Sequence, residues 1–261
     1  MLVLEMHQDM TKPNQYGKYQ GFGATVSSIR SIVKGNLTAR LRTASSSPGV
    51  VSSWITRNKH GDELDFEFVG KSPHQVQTNW YYNNVIDWTH GKYFDMPQLG
   101  DLNASFHEYM ISWGDMQARW FVDGQCMGVL ELNESDMFSR PQQWHFSVWD
   151  GGSGSPDTTN WAGGPTDWSD VNRIYRMEVD WVQVQCSQEM TGDQRKTEWD
   201  VWHRPNASTS VPGAETSLGP FPSIPPVPTS GSKGLLGDFW VLAVVVVVVV
   251  VEVITYLIFS I

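Results

Sequence analysis

Apolar and polar residues alternate with period two over most of the chain between residues 19 and 185, and helical periodicity is scarce. Leu37, Ala39 and Leu41 alternate with Thr38, Arg40 and Arg42, and the runs 49–56 and 75–82 are β-branched or aromatic. Further runs cover 106–113, 119–123 and 144–149, with Asp123-Gly124 suited to a hairpin turn, and Met177, Val179 and Trp181 close the series. About ten short strands separated by turns predict an all-β antiparallel sandwich.

One strand stands apart. In Gly61-Asp62-Glu63-Leu64-Asp65-Phe66-Glu67-Phe68-Val69-Gly70, Glu63, Asp65 and Glu67 share one face, while Leu64, Phe66 and Phe68 share the other. Three like charges on one strand face repel, whereas the apolar side can be bound into a core that holds the acids in place. Such a pattern reads either as a solvated acidic face, as a calcium site, or as catalysis. Glycoside cleavage needs two carboxyl groups across the scissile bond, one protonated and one ionised. A third carboxyl between them raises a neighbour's proton affinity and can share a hydrogen bond with the nucleophile.

The totals narrow the classes. Net charge is −10 and no basic stripe exists, so a nucleic-acid partner is not expected. Thirteen Trp and eight Tyr are many for 261 residues, and aromatic faces stack on sugar rings as well as filling cores. Cys126 and Cys186 form no C-x-x-C and the seven histidines show no ligand spacing, so neither metal nor cofactor is expected, with a structural calcium and a single disulfide left open. Sequons at Asn36, Asn103, Asn133 and Asn206 lean towards a secreted glycoprotein.

The chain divides into a sandwich over 1–190, a linker over 191–234 with seven prolines from residue 205 onward, and an apolar end over 235–261. Residues 239–261 are long enough to cross roughly 30 Å of hydrocarbon. Ser230-Gly231-Ser232 followed by a short polar spacer favours a GPI-attachment signal over a permanent span, since nothing basic follows Val241. Met1-Leu2-Val3-Leu4-Glu5-Met6 reads as a strand rather than a signal peptide. An anchored protein must be exported, so the expectation is that a signal peptide and a first strand or two are missing upstream.

Glu63-Leu64-Asp65-Phe66-Glu67 resembles the E-x-D-x-E signature of glycoside hydrolase family 16. That family consists of retaining enzymes on a concanavalin A-like jelly-roll sandwich with a concave sugar-binding cleft. The resemblance implies Glu63 as nucleophile, Glu67 as general acid/base and Asp65 bonded to Glu63. On a straight strand the two Glu Cα atoms stand roughly 13 Å apart, so long side chains on a curved sheet must lean together. Gln75-Val76-Gln77-Thr78-Asn79-Trp80-Tyr81 is similar to the licheninase strand that lines the cleft, which implies cleft roles for Asn79 and Tyr81, and period two adds Gln77. Arg40 is matched to a cleft arginine and Trp149 to a cleft tryptophan, whereas Gly61 stands where licheninases carry Trp.

Trp161-Ala162-Gly163-Gly164-Pro165-Thr166-Asp167-Trp168 resembles a run in fungal Crh-type wall transglycosylases. It implies sugar-binding roles for Trp161, Asp167 and Trp168, with Trp161 and Trp168 as acceptor platforms. The implied partners are β-glucan and chitin, and the implied location is the cell wall, anchored to the membrane at the C-terminus. Two other outcomes stay open: a secreted endo-β-1,3(4)-glucan hydrolase, and a non-catalytic carbohydrate-binding wall protein.

Overall fold

Alternation along each strand decides which side chains lie between two antiparallel sheets. The computed structural model describes residues 1–187 apart from 12, 14–16, 18 and 133–137. The linker, the apolar end, Asn133 and Asn206 lie outside the described residues. One sheet runs in the order β11 (Gln125–Glu131), β10 (Gln117–Val122), β9 (His107–Trp113), β4 (Gly35–Arg42), β13 (Tyr175–Cys186), β1 (Leu2–Gln8) and β2 (Gly21–Phe22). The other runs β3 (Ala24–Ser27), β12 (Gln143–Asp150), β5 (Val50–Arg57), β6 (Glu63–Val69), β7 (Gln75–Tyr81) and β8 (Lys92–Asp95). Among the described residues one α-helix, α1 (Pro156–Ala162), follows β12.

The core sits where the inward faces meet. Leu37, Ala39 and Leu41 of β4 and Tyr109, Ile111 and Trp113 of β9 face Trp54 of β5, Leu64, Phe66 and Phe68 of β6, and Phe146 of β12, all buried. Tyr109 presents its ring edge-on to Phe66 and Phe68 at 5.6 and 4.8 Å, tying β6 to the opposite sheet. Burial of each of these large side chains contributes about 1.5–3 kcal/mol.

The expected strands are present, and the departures have local causes. Among the described residues thirteen strands form rather than about ten, because β2, β3 and β8 are only two to four residues long and β11 lacks clean alternation. Asp123-Gly124 makes the expected turn, with φ of 47° and 79°. Trp181 does not continue the inward series of Met177 and Val179. A β-bulge between Val179 and Trp181 inserts Asp180, reverses the phase, and leaves Trp181 exposed. Residues 156–162, where no strand was expected, form α1, capped by Ser155 and stopped by Gly163 at φ 95°. Cys126 on β11 and Cys186 on β13 have three strands between them, roughly 19 Å at ~4.8 Å per strand, so no disulfide joins them.

Candidate active site

Residues directly opposite one another on antiparallel strands share a face. Glu63 lies between Arg57 of β5 and Tyr81 of β7, Asp65 between Ile55 and Asn79, and Glu67 between Ser53 and Gln77. Beyond β5, His145 stands opposite Ile55, Ser147 opposite Ser53 and Trp149 opposite Val51. The sheet therefore assembles Glu63, Asp65, Glu67, Gln77, Asn79, Tyr81 and Trp149 on one surface, the acids and Gln77 as alternation implied and the other three as the family resemblance implied. Asn79 Nδ2 donates to the Tyr81 hydroxyl at 2.9 Å, which fixes both side chains beside the acids.

The start of β6 is fastened from below. Asp62 is fully buried, accepts from Arg140 Nε at 2.7 Å and from Asn58 Nδ2 at 2.8 Å, and caps the Asn83 amide at 3.1 Å. Gly61 explains the departure from the licheninase pattern. It sits at φ +74°, and a Cβ there would come within 2.6 Å of Asn84. No tryptophan fits where the 83–84 turn packs.

Electrostatics separate the three acids. Burial, and secondarily the Glu63 charge, push Glu67 from the ordinary 4.5 up to about 8. That shift disfavours ionisation by roughly 5 kcal/mol. Burial followed by the flanking Glu67 and Glu63 charges holds Asp65 well above its usual range. Burial raises Glu63 as well, but the Arg57 guanidinium 3.3 Å away opposes it. Among the described residues Glu63 alone of the three has an ion-pair partner, so the single negative charge settles there. Burial, then the Arg57 charge, lowers His145 to about 4, so it stays neutral above that pH, with Nδ1 2.7 Å from Ser27 Oγ. Asp65 Oδ1 is buried without a hydrogen-bond partner, so the expected bond from Asp65 to Glu63 is not made through that atom.

Of the Trp161–Trp168 segment, only its first tryptophan reaches this surface. Trp161 donates its indole N–H to Gln77 Oε1 at 3.0 Å and stacks on Trp149 at 5.7 Å between centroids. Asp167 and Trp168, expected to bind sugar, fasten the loop instead. Asp167 pairs with Arg173, and Trp168 donates to Asp150 at 3.3 Å while its ring meets the edge of Tyr175 at 5.2 Å. Asp150 also accepts from the Gly21 amide at 2.6 Å, from Ser153 Oγ at 2.7 Å and from Thr166. Trp168 thus belongs to this half-buried hub, and Asp167 to the Arg173 ion pair.

Arg40 is a further correction. It lies on the outward face of β4 in the other sheet, paired with Asp180 at 2.5 Å and placed 5.0 Å over the Phe106 ring. The arginine at the acids is Arg57. The run of β-branched and aromatic residues stops at Thr56, one position short of it; hairpin register across the 58–62 turn was the signal that could have placed it opposite Glu63. Of the described sequons, Asn36 lies on the outward face of β4 and donates to Gln185 at 3.2 Å. Among the described residues no group of three or more His, Cys, Asp or Glu is arranged to hold a metal ion.

The raised Glu67 carries a stability signature. Its folded pKa lies above its unfolded value near ~4.3, so the folded state holds a proton that the unfolded chain has lost. The stabilisation is full below the unfolded value and is lost as pH rises through about 8. Glu67→Gln removes this loss. Urea unfolding should show the variant gaining on the parent by roughly 2–4 kcal/mol between pH 5 and pH 8; parallel pH dependence of the two proteins would contradict the buried neutral acid.

Comparison with known proteins agrees with this geometry. Probable glycosidase CRR1 of Saccharomyces cerevisiae is 35% identical over 156 residues, covering 56% of this chain and 36% of the relative. Crh-like protein 2 of Aspergillus fumigatus is 33% identical over 56% of this chain and 35% of its own length. The matched region thus spans about a third of these curated relatives. Among solved structures, Crh5 transglycosylase in complex with NAG superposes with a TM-score of 0.60 at 25% identity, covering 71% of this chain and 73% of that one. A prokaryotic β-1,3-1,4-glucanase (lichenase) from a mouse hindgut metagenome gives 0.57 at 26% identity over 70% and 78%. Residues 2–183 match glycosyl hydrolases family 16, and the chain belongs to that family.

Proposed function

We propose that this chain is a retaining glycosidase and transglycosylase acting on β-glucan, with chitin as an acceptor, at the fungal cell wall. One observation carries the proposal: three carboxyls on a single surface, with the charge held on Glu63 by Arg57 and a proton held on Glu67 by burial. The ionised Glu63 attacks the anomeric carbon while Glu67 gives its proton to the departing glycosidic oxygen, leaving a glycosyl ester on Glu63. Glu67, now a carboxylate, takes the proton of an incoming hydroxyl, whose oxygen attacks the same carbon and frees Glu63.

Whether water or a sugar completes the second step depends on what is held beside the ester. A bound acceptor wins by proximity. Trp161 supports transfer, because its bond to Gln77 puts an indole face beside Glu67, where the acceptor hydroxyl must lie. The likeness to the lichenase structure supports the second reading, an endo-β-1,3(4)-glucan hydrolase with the same residues. A sandwich that only binds sugar would have no use for the buried acids. Secretion, glycosylation at Asn36 and Asn103 and at Asn133 and Asn206, and a GPI anchor in the C-terminal segment complete the proposal.

Incubating the secreted protein with β-glucan and labelled chito-oligosaccharide should yield labelled glucan–chitin hybrids; glucan fragments alone would establish the hydrolase. Trp161→Ala should lower transfer about tenfold more than donor cleavage, and equal losses would remove its acceptor role. Cleavage requires the proton on Glu67, so kcat should fall as pH rises through about 8. Arg57→Gln should move the acid limb of the same profile upward, since Glu63 loses the charge that keeps it ionised; an unmoved limb would exclude that role.

A further inference from the structure

An aromatic rim lies at the β7–β8 edge of the acid-bearing surface. Trp88 is 73% exposed and Tyr93 59% exposed, which is unusual for such large rings. Tyr93 stands directly opposite Gln77, so it belongs to the same face as Glu67. Trp88 meets Tyr81 edge-on, with centroids 6.0 Å apart and planes at 85°, and Tyr81 is the neighbour of Glu63. The rim is continuous with the surface that carries the acids.

Trp88 sits on a loop that is held at several points. Asn83 and Asn84, at φ 53° and 59°, form a turn closed by the Tyr82–Val85 bridge and seated on Gly61. Asp87 accepts from the Thr89 amide at 2.8 Å and the Thr89 hydroxyl at 2.6 Å, capping the short 3-10 turn Trp88–His90. His90 stacks on Trp80 at 3.6 Å with planes 8° apart and lies 3.1 Å from the Trp80 carbonyl. A large ring held in water by a fixed loop loses little freedom on binding a partner. Its indole face is apolar, while the adjoining Asn79, Tyr81 and acids are polar, and a sugar ring presents both kinds of surface.

We infer that Trp88, with Tyr81 and Tyr93, forms an additional sugar subsite that takes a distal unit of a β-glucan chain lying across Glu63. This rests on the glucan cleavage proposed above, and it adds a dependence on chain length. A glucan long enough to reach the rim is held by stacking on Trp88, while a short one spans only the acids.

The test uses the full chain carrying Glu63→Gln, so that bound glucan is not consumed, titrated calorimetrically with β-glucan oligosaccharides of three and six units. Trp88→Ala in that background should weaken the hexasaccharide about tenfold and the trisaccharide less than about twofold, with Trp88→Tyr restoring most of the loss. An unchanged thermal midpoint separates this from misfolding. Equal loss for both lengths, or no loss for either, overturns the subsite. So does a Trp88-dependent change in sedimentation without a change in affinity, which would make the rim a contact between proteins. Turnover by the unmodified chain reports on cleavage separately. Absence of turnover with Trp88-dependent hexasaccharide binding would sink the cleavage and leave the subsite standing.

Discussion

Everything at the site depends on forcing three carboxyl groups out of water on one strand face. Isolated, that face would repel itself apart. It persists because Leu64, Phe66 and Phe68 on the reverse of β6 are buried and Tyr109 of the opposite sheet packs edge-on against the two phenyl rings. The aromatic back fixes where the acids stand; on the front, packed among Gln77, Asn79 and Tyr81, their own desolvation is the first cause of the raised proton affinity of all three. Packing on one side of a strand thereby fixes the positions of the carboxyls on the other. Arg57 then breaks the near-symmetry by drawing the charge to Glu63.

The loops around this strand each solve a placement problem. Asp62 anchors the entry to β6 by satisfying Arg140, Asn58 and the Asn83 amide, and Gly61 leaves room for the turn that follows. At the other end, Asp150 collects Gly21, Ser153, Thr166 and Trp168, so that α1 is carried to the surface with Trp161 aimed at Gln77. Gly163 turns the chain at the end of α1 with a Cβ position only 2.3 Å from Lys71, which excludes any side chain there. A buried carboxylate at one end and a half-buried one at the other thus hold the frame, and the exposed aromatics ride on it.

Alternation and β-branched or aromatic runs were enough to find β4, β5, β6, β7 and β12, and period two from Asn79 added Gln77, because a pleated strand permits only two faces; Asn79, Tyr81 and Trp149 were grouped with the acids by the family resemblance alone. What alternation cannot carry is the assignment of strands to sheets. Arg40 alternates as regularly as any cleft residue, yet β4 belongs to the other sheet and its outward face is the far side of the sandwich. Trp181 was lost to a bulge, which a one-residue shift hides from any periodic reading. Trp168 and Asp167 share the composition of sugar-binding residues, and only three-dimensional contacts reveal that Asp150 and Arg173 occupy them. Arg57 needed the hairpin register, and Trp88 lies in a short turn without periodicity at all.

The division of labour between two glutamates on one strand is the claim on which the chemistry stands. A slow 2-deoxy-2-fluoro β-glucan donor should trap the glycosyl ester, and the segment between Lys59 and Lys71 contains both candidates, so fragmentation within it decides between them. The expected result is the fluorinated glycosyl part of the donor on Glu63, absent from Glu63→Gln. An adduct on Glu67 or Asp65, or products released with inverted anomeric configuration, would contradict it.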